Sequence, residues 1–340
     1  MNIVTASSLN TYSKCPRRYQ YRYMEEFEST LPQEALLVGT AVHIGIERFW
    51  LGDTATDMFL AVDEYYRESP TFWSSKRGEV EQAKVAAYLY GYIKERSPMV
   101  GEYEVLGVEE EWRETLHVQQ MDLHSQRAGK FDLVIRRKAD GEVFVVDHKT
   151  SGSRDIEDPM SLFWSKLVFD TQVVMYLDAA QRKYNLSRRP RFVYDVIRKT
   201  KSKPSMTKRV ARRKTETKFQ FESRKASVTE TFAQYRARIL KEYTNAPSRY
   251  MRREIHITHD EVERRQDELF LLEKQIQNAP LAYDLPRNPT ACMSAWGACP
   301  YFPVCAGQDD LSTSDAYRHK PAHSEPVSYT HLTLPTTPYV

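Results

Sequence analysis

Apolar residues recur at helical spacing through most of the first hundred residues. Before residue 25 the pattern predicts a short helix, a break, and a second helix with Pro16 in its first turn, where a missing N–H costs little. Three further helices are predicted, at 35–51, 54–68 and 79–97. We interpret residues 1–102 as an N-terminal helical region.

The pattern changes near residue 103, where short runs rich in β-branched and aromatic residues begin. Three strands are predicted by EYEVLGVEEEWRETL, KFDLVIRRK and EVFVVDHKT. Asp140-Gly141, between the last two, favours a hairpin with a type I′ turn, which needs positive φ at both central residues. A long helix (161–184) and the strand RFVYDVIRK follow. This order predicts an α/β core, with a mixed central sheet flanked by helices.

The rest of the chain is predicted to contain a helix at about 226–243, a strand at 250–257, a helix at 259–279 and a Cys- and aromatic-rich region at 290–307. Charge is unevenly distributed. Residues 188–225 hold fifteen Lys or Arg against three acidic residues, a net charge of +12, whereas the whole chain carries only +3. Such a segment is either a solvated loop or a surface that contacts phosphates.

The strongest candidate chemistry lies on the predicted hairpin. Asp147 and Lys149 point to the same face of their strand because strand side chains have a period of two. Antiparallel pairing brings Asp132 within reach of that face. Two carboxylates form an oxygen site of the kind that Mg²⁺ or Mn²⁺ prefers, and a neighbouring lysine can orient a water and help to deprotonate it. An ordinary hairpin with a Lys–Asp salt bridge would show the same tripeptide.

Further residues turn this pattern into a resemblance. G-x-x-D ending at Asp132, followed by an apolar strand and D-x-K-T, resembles motifs II and III of the PD-(D/E)xK nuclease superfamily in its RecB-like branch. That branch also has Q-x-x-x-Y on the next helix. Gln172 and Tyr176 match it, four residues apart on one helix face. GTAVH places His43 in the context of the branch's N-terminal histidine.

The resemblance implies a restriction-endonuclease-like core at 103–200 that acts as a metal-dependent deoxyribonuclease, with exonuclease action favoured. Mg²⁺ or Mn²⁺ would be held by His43, Asp132, Asp147 and the backbone carbonyl of His148. Lys149 would activate the attacking water. Gln172 and Tyr176 would fix Lys149 or the scissile phosphate.

The four cysteines of the chain show a related pattern. Cys15 stands in SKCPRRY near the start, and the other three form C-x6-C-x5-C, at Cys292, Cys299 and Cys305. The resemblance to cluster-bearing nucleases of this branch implies a [4Fe–4S] cluster held by all four, with 290–327 as the cluster region. The first gap of the trio departs from the family, where it is commonly two residues. Structural Zn²⁺ is the main alternative, and four unrelated buried thiols remain a third.

The implied substrate is DNA, as single strands or duplex ends, contacted by the basic segment 188–225. Residues 201–289 are interpreted as a basic arm followed by C-terminal helices. No Walker A motif is present, so a separate helicase or recombination protein would be the partner. The pathway could be phage recombination, DNA repair or CRISPR spacer acquisition. A catalytically silent DNA-end-binding module is the rival from a different functional class.

Two features bear on location and on the natural sequence. No apolar stretch approaches the roughly 20 residues needed to span a bilayer, and the N-terminus is no signal peptide, so we predict a cytoplasmic protein without membrane contact. The last thirteen residues, SYTHLTLPTTPYV (328–340), resemble translated sequencing adapter. We interpret them as a non-native tail and exclude them from functional reasoning.

Overall fold

The computed structural model describes residues 3–30, 34–205, 213–228, 230–279, 284–294 and 297–320. The suspected tail at 328–340 lies outside the described residues. The helices of the described part are α1 (Ala6–Lys14), α2 (Pro16–Tyr19), α3 (Glu34–Trp50), α4 (Ala55–Glu68), α5 (Pro70–Trp73), α6 (Lys76–Val100), α7 (Leu162–Leu167), α8 (Thr171–Lys183), α9 (Lys218–Val228), α10 (Phe232–Thr244), α11 (His259–Gln277) and α12 (Phe302–Cys305). The strands are β1 (Ile3–Val4), β2 (Phe27–Ser29), β3 (Tyr103–Val118), β4 (Leu123–Arg137), β5 (Val143–Ser151), β6 (Arg191–Arg198), β7 (Tyr250–Ile255), β8 (Met293–Ser294), β9 (Gly297–Ala298) and β10 (Tyr317–His319).

The N-terminal helices form where the apolar spacing predicts them. Hydroxyl side chains begin three of them, because each accepts a hydrogen bond from a backbone N–H that the first helical turn leaves free. Thr5 caps α1, Thr54 caps α4 and Ser75 caps α6. Pro16 occupies the first position of α2, and a π-helical turn continues from it through Gln20–Met24. The helix predicted at 79–97 is longer than expected at both ends.

The central sheet is mixed, as predicted. Strands β3, β4 and β5 form an antiparallel meander, β5 and β6 run parallel, and β7 closes the far edge antiparallel to β6. The edge of β4 away from β3 is shared by two partners: β1 pairs with 126–127 and β5 with 133–136. The crossover from β5 to β6 contains α8, which explains how two parallel strands can be neighbours.

Helices cover both faces of the sheet. Alternating residues of β5 show this directly, because Val146 packs into the core shared with α3, α6 and α10, whereas Val145 packs into the core shared with α1, α8 and α11. All of the apolar side chains of β5 up to Asp147 are buried. The α/β fold class with a mixed sheet between helices is therefore confirmed. No helix in the described part of the chain is long and apolar enough to span a membrane.

Three local predictions were wrong in detail. The hairpin between β4 and β5 exists, but its turn is not type I′: Gly141 has a φ of 74° while Asp140 does not share a positive φ. The wider turn is closed by a hydrogen bond from the Arg137 N–H to the Glu142 carbonyl, at 2.8 Å. The single helix predicted at 226–243 begins later, at Phe232, because Thr231 caps it. A separate helix, α9, lies within the basic segment.

The helix predicted at 161–184 is two helices. It breaks at 168–170, where Asp170 adopts an extended conformation and its carboxylate accepts the Gln172 N–H at 3.0 Å. The Tyr194 hydroxyl on β6 donates to the other oxygen of Asp170, also at 3.0 Å, and holds the break against the sheet. The cap therefore sets the point at which α8 begins, with Gln172 in its first turn beside β5.

The two ends of the described chain are clasped together beside the sheet. Strand β2 pairs antiparallel with β10, and the Tyr301 hydroxyl donates to the Phe27 carbonyl at 2.7 Å. Arg17 donates through Nε to the Leu285 carbonyl at 2.7 Å. A small apolar cluster that includes Tyr21, Tyr301 and Tyr317 fills the space between these segments. Residues 15–30, 284–294 and 297–320 thus form one local unit, in which all four cysteines lie.

A buried ion pair ties α11 to the central sheet. The side chains of Arg127 on β4 and Glu273 on α11 are 0% and 1% exposed, and Arg127 Nε lies 2.7 Å from Glu273 Oε1. The guanidinium also donates to Gln266 Oε1 at 2.7 Å and stacks over the Phe270 ring. Buried charges of this kind are tolerated only because they are paired.

Candidate active site

The pairing between β4 and β5 stops beside Asp132, and the two strands separate there. Leu133 and Val146 form the last pair of the ladder. Beyond them the Asp132 side chain replaces the backbone pairing, because its Oδ2 accepts the His148 N–H at 2.7 Å. The result is an opening in the sheet with a carboxylate at its edge.

Three potential metal ligands from three elements meet at this opening. His43 Nδ1, from α3, lies 3.7 Å from Glu109 Oε1 on β3 and 3.7 Å from Asp132 Oδ2 on β4. One ligand atom from each residue lies within 4.8 Å of the other two. One imidazole nitrogen and two carboxylate oxygens at these separations suit a cation of the Mg²⁺ or Mn²⁺ type.

Glu109 was missed by the sequence analysis. It has a φ of 47°, a left-handed conformation that a glutamate adopts at a cost of about 1–3 kcal/mol. Its neighbours Val108 and Glu110 pair with Leu133 and Phe131, so Glu109 lies opposite Asp132 at an irregular point of the ladder. The sequence shows only three consecutive glutamates, at 109–111, in a predicted strand. Nothing in that pattern distinguishes Glu109 as a site residue.

Burial and neighbouring charges both shift the pKa values of the cluster. Burial, together with the nearby Asp147 and Glu109 carboxylates, raises the pKa of Asp132 to about 7 although His43 opposes this. Burial disfavours the charged form of His43, yet Asp132 and Glu109 outweigh it and raise the pKa of His43 to about 9. A divalent cation would take the place of the protons that these groups otherwise retain.

Asp147, Lys149 and Gln172 form a second group on the α8 face of β5. Lys149 Nζ lies 2.7 Å from Asp147 Oδ2 and donates to Gln172 Oε1 at 3.0 Å. The Gln172 amide donates in turn to Asp147 Oδ1 at 2.5 Å. Burial disfavours the ammonium, but Asp147 and Asp132 outweigh it and raise the pKa of Lys149. Lys149 is thus a cation whose position is fixed by two neighbours.

Tyr176 lies one turn after Gln172 and is 8% exposed. Its ring packs edge-on against Phe131 and Trp112, with centroid distances of 5.4 and 5.9 Å. Its hydroxyl interacts with the Gln172 side chain and with the backbone of Lys130, while burial raises its pKa. Tyr176 therefore helps to hold the Gln172 side chain in place.

A comparison with protein families identifies the fold that carries these two groups. The family model described as the PD-(D/E)XK nuclease superfamily matches residues 3–306. The chain belongs to this superfamily. A solved structure of a protein described as "Putative exonuclease", from Eubacterium rectale, shares 13% identity, with 92% of this chain and 90% of that chain covered and a TM-score of 0.48. No curated protein matches the chain.

The donor set of this PD-(D/E)XK nuclease fits the divalent metals that the superfamily uses. Its described residues offer His43, Glu109 and Asp132 directly, with Asp147 close enough to affect the pKa of Asp132. All are oxygen or imidazole donors, and none is a thiol, which selects for hard cations. The metal roles predicted for His43, Asp132 and Asp147 stay predictions, as do the catalytic roles of Lys149, Gln172 and Tyr176.

The side chain of His148 has a different environment from its backbone. Its imidazole points to the α3 face, where the Tyr92 ring packs edge-on at 5.9 Å, and burial lowers the pKa of His148 to about 3. The ring is therefore neutral. The N–H and C=O of one strand residue point to the same edge of the strand. The His148 N–H binds Asp132 at the opening between β4 and β5. The His148 carbonyl, which is the predicted metal ligand, therefore faces the same opening.

The four cysteines of the nuclease lie within the clasp of the chain ends. Cys15 is buried at the junction of α1 and α2, and the other three are partly exposed. Burial raises the pKa of the Cys299 thiol, and the nearby Cys15 and Cys305 thiols contribute to this. Tetrahedral zinc, with bonds of about 2.3 Å, would hold its sulfurs about 3.8 Å apart. Among the described residues no three thiol sulfurs lie within 4.8 Å of one another.

Part of the charge in the basic segment 188–225 is already paired with acidic side chains. The arginines concerned and their partners are Arg191 with Glu142 and Glu254, Arg198 with Glu157, and Arg224 with Glu216. Residues 206–212 lie outside the described part of the chain. Contact between this segment and DNA stays a prediction.

Proposed function

We propose that this nuclease is a Mg²⁺- or Mn²⁺-dependent deoxyribonuclease, with exonuclease action as the mode that its RecB-like motifs favour. One observation carries the proposal. The His43–Glu109–Asp132 ligand cluster and the Asp147–Lys149–Gln172 group flank the point where β4 and β5 separate, so a cation and a positioned ammonium would act on the same phosphate.

His43, Glu109, Asp132 and Asp147 would hold the metal, together with the carbonyl of His148. When bound, a divalent cation neutralises charge on the phosphate and lowers the pKa of a coordinated water. The ligands come from α3, β3, β4 and β5, which are fixed by the two cores on either side of the sheet. Rigid elements hold catalytic groups more accurately than loops do.

Lys149 would orient the attacking water and stabilise the negative charge that develops on the phosphate oxygens. Gln172 would keep the ammonium in place, since its amide spans from Lys149 to Asp147. Tyr176 would hold Gln172 and exclude water from behind it.

Removal of divalent metal is expected to abolish cleavage of end-labelled DNA, and added Mg²⁺ or Mn²⁺ should restore it. Glu109→Gln should weaken Mn²⁺ binding, measured by calorimetric titration, by about 10–100-fold because one carboxylate ligand is lost. Glu104→Gln, on the exposed start of the same strand, is the matched control. Equal Mn²⁺ affinity in the Glu109 and Glu104 variants would remove Glu109 from the ligand set.

We also propose that Cys15, Cys292, Cys299 and Cys305 hold a [4Fe–4S] cluster. The support is that all four thiols lie in the clasp of the chain ends, where Cys15 is close enough to Cys299 and Cys305 to help raise the pKa of both thiols. A cluster there would join residue 15 covalently to residue 305 and stabilise the clasp. We propose a structural role for it, since all four cysteines lie in the clasp and none belongs to the His43–Glu109–Asp132 ligand cluster.

Anaerobic purification should yield a brown protein with absorbance near about 400 nm and about four iron atoms per chain. Cys299→Ser should lose that absorbance and lower the melting temperature, whereas the DNA-cleaving groups remain in place. Elemental analysis distinguishes the cluster from a zinc site, because one equivalent of zinc without iron would establish the Zn²⁺ alternative. If the protein contains neither iron nor zinc in stoichiometric amount, the four cysteines are ordinary thiols.

The pathway rests on the resemblance alone. DNA recombination, repair or phage DNA metabolism, with a separate helicase or recombination partner, is the context we propose. CRISPR spacer acquisition requires the same chemistry and differs in the neighbouring genes. The complete Asp147–Lys149–Gln172 group opposes a catalytically silent end-binding module, because such a module would have no use for an ammonium fixed beside two carboxylates.

A further inference from the structure

A cavity of about 240 Å³ lies beside the carboxyl ends of the parallel strands β5 and β6. Four cationic side chains and one carboxylate line it: Arg77, Lys84, Lys199, Lys201 and Glu81. Gly152, which follows β5, and Val38 of α3 complete the wall next to the active site. Concave sites at the carboxyl ends of parallel strands are common places for ligands to bind.

The charges in this cavity do not cancel. Lys84 is buried and its Nζ lies 2.7 Å from Glu81 Oε1, which uses the one carboxylate. Lys199 is half-buried, and among the described residues no carboxylate forms an ion pair with it or with Lys201. Burial lowers the pKa of Lys199, and Lys84 adds to this while Glu81 opposes it. An anion in the cavity would offset the cost of burying the Lys199 ammonium.

The loop that carries the two free lysines is held in place before any ligand binds. The Lys199 N–H donates to the Ser151 carbonyl at 2.7 Å, and the Thr200 N–H donates to the Tyr88 hydroxyl at 3.1 Å. The Tyr235 hydroxyl donates to the Ser202 carbonyl at 3.2 Å. Binding would therefore require little further ordering of the backbone, which is how preorganised sites gain affinity.

The cavity lies close to the proposed catalytic lysine. Gly152 is three residues beyond Lys149 at the end of the same strand, so their backbones are about 10 Å apart at roughly 3.3 Å per residue. Val38 and His43 likewise lie on the same helix, α3. A single DNA strand at the active site would pass this cavity within one or two nucleotides.

We propose that this cavity binds a non-scissile phosphate of the DNA strand, with Lys199 and Lys201 as its principal contacts. The inference rests on the proposed nuclease function and adds a positioning site to it. A phosphate bound there would set the register of the strand, so that the neighbouring phosphodiester reaches Lys149 and the metal ligands. The same chemistry would also accept free inorganic phosphate, and the experiment separates these two sources.

The test compares Lys199→Gln/Lys201→Gln with a control double variant, Lys94→Gln/Lys138→Gln. The control removes two charges at the far end of α6 and at the opposite end of β5. The probe is a fluorescein-labelled single-stranded DNA, titrated in EDTA over a range of KCl concentrations. The cavity variant should bind about 10-fold more weakly, and its log Kd against log [KCl] slope should fall by roughly 0.7, the value for one lost phosphate contact on a single strand.

Equal affinity and slope in the cavity and control variants would overturn the inference. Calorimetric binding of inorganic phosphate to the wild type, with unchanged DNA affinity in the cavity variant, would also overturn it and assign the cavity to free phosphate. Lys201→Glu provides a second variant, because this exposed side chain can be reversed without disturbing the core. It should weaken DNA binding more than Lys138→Glu does.

Failure of this inference and failure of the proposed function give different results. If the wild type cleaves DNA and the cavity variant binds it normally, only the cavity assignment is wrong. If the cavity variant loses DNA affinity but the wild type does not cleave in Mg²⁺ or Mn²⁺, the cavity binds DNA and the nuclease assignment is wrong. Cleavage and binding are therefore measured on the same preparations.

Discussion

Replacing Lys149 with Met is expected to lower the rate of DNA cleavage by about 10³-fold or more, while DNA affinity changes little. Methionine keeps the four-atom apolar stem of the side chain but removes the ammonium that lies 2.7 Å from Asp147 Oδ2 and 3.0 Å from Gln172 Oε1. Without it, no ammonium group orients the water or stabilises the charge that develops on the phosphate. The measurement is single-turnover digestion of end-labelled DNA in Mn²⁺.

Lys138→Met is the matched control for this prediction. Lys138 lies in the turn at the opposite end of β5, and its loss should leave the cleavage rate unchanged. Circular dichroism would establish that both variants fold. Cleavage by Lys149→Met at the wild-type rate would show that the proposed mechanism is wrong. Tight DNA binding by a wild type that never cleaves would favour the silent end-binding module instead.

Replacing Glu273 with Leu should lower the free energy of unfolding by about 3–5 kcal/mol, because the Arg127 guanidinium is left buried without its counter-ion. Both side chains are almost fully buried, so water cannot replace the lost carboxylate. Urea denaturation followed by fluorescence measures the change. The predicted loss is large against a typical total stability of about 5–15 kcal/mol.

Two further variants show whether the unpaired charge is the cause. The double variant Arg127→Met/Glu273→Leu removes both charges and should recover most of the stability that Glu273→Leu loses. Glu263→Leu, on the exposed face of the same helix, should change the stability by less than about 0.5 kcal/mol. A loss below about 1 kcal/mol in Glu273→Leu would mean that the ion pair contributes little.

Features that depend on neighbours in sequence were predicted well. The spacing of apolar residues located α3, α4 and α6, and the alternation after residue 103 located the three-stranded meander. The same local logic placed Asp147 with Lys149 on one face of β5, and Gln172 with Tyr176 on one face of α8. Periods of two and 3.6 are properties of a single element, so one sequence is enough to recognise them.

Features that depend on contacts between elements were predicted less well. The break before α8 requires Tyr194 of a later strand to hold the Asp170 cap. Glu109 reaches the site only because its own backbone is left-handed, at a point where the pairing of β3 with β4 is irregular. The cavity beside Lys199 needs α3, α6 and the ends of two strands, and its lining residues extend along the chain from Val38 to Lys201. The secondary-structure propensity of a local segment contains no information on contacts between distant elements.

By itself the sequence determined the α/β class, the nuclease motifs and the residues of each motif, because these depend on residue types at short, regular spacing. Only the tertiary structure decided that Glu109 joins His43 and Asp132, that Gln172 bridges Lys149 to Asp147, and that two lysines of the basic segment line a cavity while three of its arginines are paired with carboxylates. Each of these results from the packing of several elements around one sheet. Their geometry is set by burial and pairing across the whole fold.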